Sequence, residues 1–165
     1  MEEDTPKEVT HWWNILRRMV FAMASKRRPR RTSTKKANVE VIVATSLPPT
    51  SQLALLLAET MRVSGFGNVA ALAPGFGAPD IIRGIHKNHR PHVYATTTDG
   101  RPVYVDVYNA NLSLVETASR WTLFYSSANS ARGQFHVVTT TAVGRAPILE
   151  RARTIGVSVT KIWEV

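Results

Sequence analysis

The chain carries a carboxylate in the middle of a predicted β-strand. Residues 103–108 alternate valine with other residues, which predicts a strand with three valines on one face and Tyr104, Asp106 and Tyr108 on the other. Aspartate is disfavoured in strands, and a buried charge is costly without a compensating partner. Asp106 is therefore the first candidate for a functional group.

The strand before Asp106 carries a second candidate, His92. Two β-rich runs flank Asp99-Gly100, and this pair is a strong hairpin signal because glycine adopts a positive φ without strain. A two-residue turn would put His92 and Asp106 on opposite faces of the hairpin. A three-residue loop over 98–100, with a bulge, would pair the two residues and place both side chains on one face.

Three histidines, His86, His89 and His92, follow one another at intervals of three residues in a predicted loop and strand entry. A zinc site would need these rings on one helical face, together with a fourth ligand. The loop position instead favours histidines that are exposed to solvent.

After a predicted strand over 39–44, the elements follow the order helix, β, β, β, helix, β, helix, β. This order predicts an α/β domain over 39–165 with a mixed β-sheet flanked by helices. Predicted helices cover 50–65, 113–129 and 146–155, and predicted strands outside the hairpin cover 39–44, 68–72, 135–140 and 157–163. The first helix has a predicted buried side of Leu53, Leu56, Leu57, Thr60, Met61 and Val63.

Several segments carry a resemblance to a known family. In chain order they are a helix, Val-Ser-Gly-Phe-Gly-Asn-Val at 63–69, a Gly/Pro loop, Arg-Pro-His-Val at 90–93, the strand at 103–107, a Trp-containing helix and Phe-His-Val-Val at 135–138. Over about residues 50–165 the chain resembles the restriction-endonuclease-like, or PD-(D/E)xK, nuclease superfamily. The resemblance implies a site in which two carboxylates hold Mg²⁺ and a lysine positions or activates the attacking water, often with help from a helix glutamate.

Carried over by position, the resemblance places the family's first aspartate at His92, its strand acid at Asp106, its lysine at Tyr108 and its helix acid at Glu59. One carboxylate does not supply the charge of two, and a tyrosine has no positive charge at neutral pH. We therefore predict an inactive site with no metal, in which Asp106 is the one residue that would bind Mg²⁺ if catalysis were retained. The same resemblance requires His92 and Asp106 to share a face, so it predicts the bulged three-residue loop.

Residues 1–38 form a predicted N-terminal arm with a helix and a basic linker. Apolar residues repeat at helical spacing from Val9 to Met23, and the adjacent Trp12 and Trp13, with Leu16, expose a large apolar surface unless it is covered. We predict that this helix docks on a partner protein; packing on its own domain and contact with a membrane surface are alternatives. A basic run follows it, made of Lys26, Arg27, Arg28, Arg30, Arg31, Lys35 and Lys36.

The charge of the chain is concentrated in this arm. The formal net charge is +9, and residues 1–36 hold ten basic and four acidic side chains. Such a run is typical of a solvated linker, of a clamp on nucleic-acid phosphates or of a nuclear-localisation patch. In the core, Arg83, Lys87, Arg90 and Arg101 are further candidates for phosphate contacts.

Composition limits the remaining classes. Cysteine is absent, which excludes disulfides and thiolate metal sites. No apolar run reaches the ~20 residues of a membrane span, and the acidic N-terminus argues against a secretory signal. We expect an intracellular protein or a component of an assembled particle.

Three functions follow from these observations. The first is a nucleic-acid-associated, non-catalytic protein on a nuclease-like fold, which binds the phosphate backbone through its basic arm. The second is a structural or assembly component of a virion or other nucleoprotein particle, docked through its N-terminal helix. The third is a divalent-metal-dependent DNA endonuclease with an unorthodox site built on Asp106, Glu59 and His92.

Overall fold

The computed structural model of the protein describes residues 49–165. The predicted arm over 1–38, its Trp12-Trp13 helix, its basic run and the predicted strand over 39–44 lie outside the described residues. The boundary predicted between residues 38 and 39 lies outside them as well.

The described residues form helices and strands in the order that the sequence predicts. The sheet order is β1-β2-β3-β4-β5, with antiparallel pairing from β1 to β3 and parallel pairing from β3 to β5. The prediction of an α/β fold with a mixed sheet and flanking helices is therefore confirmed. The elements are α1 (Pro49–Val63), β1 (Gly67–Ala71), β2 (Val93–Thr96), β3 (Pro102–Val107), α2 (Leu114–Ser130), β4 (Gln134–Thr139), α3 (Ala146–Ile155) and β5 (Lys161–Glu164).

The alternation along β3 divides the core into two layers. Val103, Val105 and Val107 are buried against α1. Tyr104 and Tyr108 pack with α2 and α3 on the other face. Asp106 lies between these tyrosines in the sequence, so its side chain points toward the layer of α2.

The hairpin between β2 and β3 has the bulged three-residue loop. The register pairs Val93 with Val105, so the next pair outward is His92 with Asp106. At the loop, the Thr97 N–H donates to the Arg101 carbonyl at 2.9 Å, and Gly100 has φ 79°. The predicted shared face of His92 and Asp106 is confirmed.

The packing face of α1 differs from the predicted one. Its buried residues include the small Ala54 and Ala58 beside Leu57 and Met61, whereas Leu56 and Val63 are 55% and 76% exposed. The prediction for Leu56 and Val63 was wrong because it placed all large apolar side chains on the buried face. In the structure the small alanines lie on that face instead, and they let the helix approach the valine face of the sheet closely.

Local signals place the ends of α2 and α3. The Ser113 hydroxyl accepts from the Glu116 N–H at 3.1 Å and caps α2, while Gly156 ends α3 at φ 81°. After α2 the chain passes close to the start of β3, since a Cβ added at Gly133 would lie 2.2 Å from the carbonyl oxygen of Pro102. The last strand starts at Lys161, four residues later than predicted.

Between residues 49 and 165 there is no helix that has both the length and the apolar character needed to cross a bilayer.

Candidate functional site

Three elements bring the candidate residues together at the carboxyl end of β3. Asp106 is the penultimate residue of β3 and points toward α2, and His92 immediately precedes β2 on the same face. Arg120 and Trp121 lie in the second turn of α2, beyond the cap at Ser113. The strand register and the helix start therefore direct four polar side chains to one position.

Asp106 accepts hydrogen bonds on both carboxylate oxygens. Its Oδ1 contacts His92 Nδ1 at 2.7 Å and accepts from Arg120 Nη2. Its Oδ2 accepts from Arg120 Nε at 3.2 Å and from Trp121 Nε1 at 3.0 Å. The guanidinium thus binds the carboxylate in a bidentate fork, which is a strong and geometrically specific form of ion pair.

We assign the proton of the His92 ring to Nδ1. An ionised carboxylate only accepts, so its 2.7 Å contact with Nδ1 requires an N–H on that nitrogen. The Val107 N–H donates toward Nδ1 at 3.2 Å and Arg120 Nη2 lies 3.2 Å from the same nitrogen; we give these longer contacts less weight than the 2.7 Å contact with Asp106. His92 therefore presents its other ring nitrogen, Nε2, away from Asp106.

Electrostatics keep Asp106 ionised although it is only 1% exposed. Burial acts to raise the pKa of Asp106, but the hydrogen bonds from His92 and Arg120, with the charges of both, hold that pKa below its usual value. The carboxylate is a buried anion with its counter-charge supplied by the protein.

Two further polar pairs flank this cluster on the α2 side. His89 Nε2 lies 2.8 Å from the Ser119 hydroxyl, and Lys87 Nζ pairs with Glu116 at 2.9 Å. Burial and the nearby Arg120 lower the pKa of His89. The hydrogen bond from Lys87 lowers the pKa of Glu116. The charges of Lys87 and Glu116 cancel within this pair, so the pair adds no net charge beside Arg120.

The histidines do not form a metal cluster. His89 bonds to Ser119 and His92 bonds to Asp106. The prediction of solvent-exposed histidines is confirmed for His86 and is wrong for His89, which is only 5% exposed because it packs against α2. Among residues 49–165, no group of three or more His, Asp or Glu side chains has the geometry to hold a metal ion.

Glu59 lies apart from the cluster. It belongs to α1, which packs on the valine face of β3, whereas Asp106 points to the opposite face. Its carboxylate instead pairs with Arg62 at 2.6 Å on the exposed side of the helix. The structure does not bring the predicted helix acid to the site.

Tyr108 is on the same face as Asp106 but takes part in a different contact. The Arg151 guanidinium carbon lies 5.5 Å from the centre of its ring, and Arg151 Nη1 also donates to the Leu112 carbonyl at 3.2 Å. Tyr108 packs into the layer of α2 and α3. At this position the chain supplies an aromatic packing residue in place of the cationic amine that the resemblance implies.

The donor set around Asp106 does not fit a divalent cation. Mg²⁺ requires several oxygen ligands, and its sites usually combine carboxylates with waters. Here one carboxylate is present, and the donors that occupy its two oxygens include the full positive charge of Arg120. A divalent ion at these oxygens would have to displace that guanidinium.

Sequence reasoning missed both Arg120 and Trp121 as partners of Asp106. One signal was present, because Glu116 and Arg120 are the only charged residues of α2 and the helix follows directly on the strand of Asp106. A lone arginine beside a tryptophan on such a helix is a suitable partner for a buried carboxylate.

Comparison of the chain with protein-family models, with curated proteins and with solved structures found no match. The function of the cluster is therefore inferred from the contacts of its own residues.

Proposed function

We propose that the protein is a nucleic-acid-associated, non-catalytic protein on a restriction-endonuclease-like fold, and that it binds phosphate backbones through its basic arm. The element order and the position of Asp106 near the end of a central strand, paired with His92, support this assignment. These are the positions at which the resemblance places the superfamily's two acids.

The single observation that supports the loss of catalysis is that protein groups already occupy the carboxylate of Asp106. Both oxygens accept hydrogen bonds from protein donors, and Arg120 neutralises the charge. Tyr108 and Glu59 supply neither a cationic amine nor a second carboxylate at this position. Metal-assisted hydrolysis of a phosphodiester needs a cation that these groups do not hold.

Exposed cations of the described domain add to the charge of the arm. Lys87 and Arg101 are committed to ion pairs with Glu116 and Asp99. Arg83 and Arg90 are exposed, and neither forms an ion pair with another residue of the 49–165 region. They flank the cluster in the sequence and supply phosphate contacts in this proposal.

The experiment that tests the proposal measures binding of the full chain to a short fluorescent DNA duplex by anisotropy as a function of salt. The association constant should fall by a factor of about 10³ or more between about 50 and 200 mM salt if six or more phosphates are contacted. Replacement of the seven basic residues of 26–36 by glutamine should abolish most binding. The control is Arg132→Gln with Arg153→Gln, two exposed arginines outside this region, which should bind as the wild type does.

Unchanged binding after neutralisation of the arm would overturn the role of the arm. Cleavage of plasmid DNA with Mg²⁺ or Mn²⁺ that disappears in Asp106→Ala would overturn the loss of catalysis and restore the endonuclease hypothesis.

An assembly role is the second candidate, and the paired Trp12 and Trp13 with Leu16 favour it, because such a surface is suited to insertion into a neighbouring protein. Light scattering of the full chain and limited proteolysis distinguish the two candidates. A monodisperse monomer whose arm resists protease would exclude the assembly role.

A further inference from the structure

The loop between Ile82 and His89 presents an apolar side chain that no residue of the 49–165 region covers. Ile85, in this loop, is 98% exposed, the largest value among the exposed large apolar side chains of that region. Ile81, just before the loop, is 52% exposed. Loops favour glycine and asparagine for their backbone freedom and local hydrogen bonds, and isoleucine offers neither. Local loop chemistry therefore gives no reason for an isoleucine at this position.

Contacts on two sides hold this loop in place. At its base, Ile82 and His89 exchange backbone hydrogen bonds of 2.8 and 3.0 Å. On the α2 side, Lys87 pairs with Glu116 at 2.9 Å, and the His89 ring lies 2.8 Å from the Ser119 hydroxyl. The exposed isoleucine is itself stiff, because the branching at Cβ restricts χ1. The loop therefore presents a preorganised apolar projection, which loses little conformational entropy when it enters a ligand.

The charge around this projection is positive. Arg83 and Arg90 are exposed, and neither forms an ion pair within the part of the chain that the structure describes. Lys87 is offset by Glu116, and Asp80 is the nearest other acid along the chain. This set holds more basic than acidic side chains, so the loop carries excess positive charge. A nucleic-acid duplex is the complementary ligand, because it combines an anionic surface with stacked apolar base faces.

We propose that this loop is a wedge for duplex DNA, in which Ile85 inserts between two base pairs while Arg83 and Arg90 contact the phosphates beside the opened step. Apolar side chains that insert in this way unstack one step and bend the duplex, at a cost that the added contacts offset. The inference rests on the proposed function, because it names how the folded domain enters the nucleic acid that the arm binds.

An anionic membrane surface is the other ligand that combines apolar and negatively charged groups. The affinity of a protein for such a surface grows with the apolar area that enters it, and one exposed isoleucine supplies little. Insertion at one base step needs only one side chain. The observations therefore favour the duplex, and vesicles form a separate arm of the test.

Four variants separate insertion from charge. Ile85→Ser removes the apolar side chain, and Ile85→Leu keeps one. Val115→Ser is the matched control, because Val115 is an apolar residue of α2 that is 80% exposed and lies outside the loop. Arg83→Gln with Arg90→Gln removes the charge of the loop and keeps the isoleucine. These side chains are exposed, so circular dichroism and thermal melting should show the fold of the wild type in each variant.

Binding of the full chain is measured by anisotropy with a matched duplex and with a duplex that holds one central mismatch, and 2-aminopurine beside the mismatch reports unstacking. A mismatched step is easier to open, so the wild type should bind that duplex about tenfold more tightly and should raise the 2-aminopurine fluorescence. Ile85→Ser should lose both effects at an unchanged salt slope, whereas Ile85→Leu and Val115→Ser should retain them. The double arginine variant should reduce the salt slope by about 2.

The outcomes separate the wedge from the proposed function. If Ile85→Ser keeps the preference and the fluorescence change of the wild type, the wedge is wrong while nucleic-acid binding through the arm stands. If the wild type binds no duplex, both proposals fail. If vesicles of phosphatidylserine and phosphatidylcholine sediment the wild type but not Ile85→Ser, and the two proteins bind both duplexes equally, the loop is a lipid contact and the wedge is overturned.

Discussion

Replacing Asp106 by asparagine tests whether this carboxylate is committed to the protein's own cations. The change preserves the shape and removes the charge, so the half-buried Arg120 loses its counter-ion. One of the two oxygens becomes an NH₂ group, and in either orientation that group meets two donors, either His92 and Arg120 at Oδ1 or Arg120 and Trp121 at Oδ2. Breaking a buried pair in this way costs about 3–5 kcal/mol of the free energy of unfolding.

Urea denaturation of the full chain measures this loss. With an m-value of about 2 kcal/mol/M, the midpoint of unfolding should fall by about 2 M. The matched control is Glu59→Gln, which removes a carboxylate from the exposed pair with Arg62 and should change the free energy of unfolding by less than about 1 kcal/mol. The difference between the two variants isolates the buried site from a general effect of lost charge.

The opposite result is expected if Asp106 is an available metal ligand. In that case the asparagine variant would be as stable as the wild type or more stable, since the change removes an uncompensated buried charge. Mg²⁺ or Mn²⁺ would also raise the melting temperature of the wild type relative to EDTA. Either observation would refute the assignment of Arg120 as the counter-ion.

Three further predictions concern stability. Trp121→Phe removes the N–H that lies 3.0 Å from Oδ2 of Asp106 and should cost about 1.5–3 kcal/mol in the same urea assay, with Mg²⁺ having no effect on the loss. Burial, with a nearby lysine, lowers the pKa of His136 from 6.5 to about 4. The neutral ring therefore contributes about 3 kcal/mol to stability above pH 6.5, and this contribution is lost as the pH falls toward 4. In a His136→Leu variant, the free energy of unfolding should depend less on pH between these values. Gly133→Ala should lower the melting temperature more than Gly77→Ala, because a Cβ meets backbone at the first position and nothing within 4 Å at the second; equal melting temperatures would contradict the close approach at Gly133.

Periodicity predicted the faces of β3 because a strand offers one choice, inward or outward, at each position. Val105 and Asp106 therefore fall on the expected sides. The pairing of His92 with Asp106 needed more than periodicity. Two loop lengths were compatible with Asp99-Gly100, and the resemblance to the nuclease superfamily selected the one that the structure has.

The partner of Asp106 was beyond local reasoning, because it depends on how α2 packs against the sheet. Arg120 is 14 residues from Asp106, and no spacing rule links a strand residue to a residue on the following helix. The exposed positions of α1 were missed for a related reason. The contribution of Ala54 and Ala58 comes from the closeness of helix and sheet, and that distance is set by both surfaces together.

The charge balance at Asp106 explains how the chain keeps an ionised carboxylate in its interior. A carboxylate that is 1% exposed stays ionised only if a cation compensates for its burial. In a metal-dependent site that cation is the bound ion, whereas here it is a guanidinium that binds both oxygens. The two solutions use the same oxygens, so they exclude each other. Arg120 therefore accounts for a buried, ionised aspartate that needs neither a metal ion nor a lysine beside it.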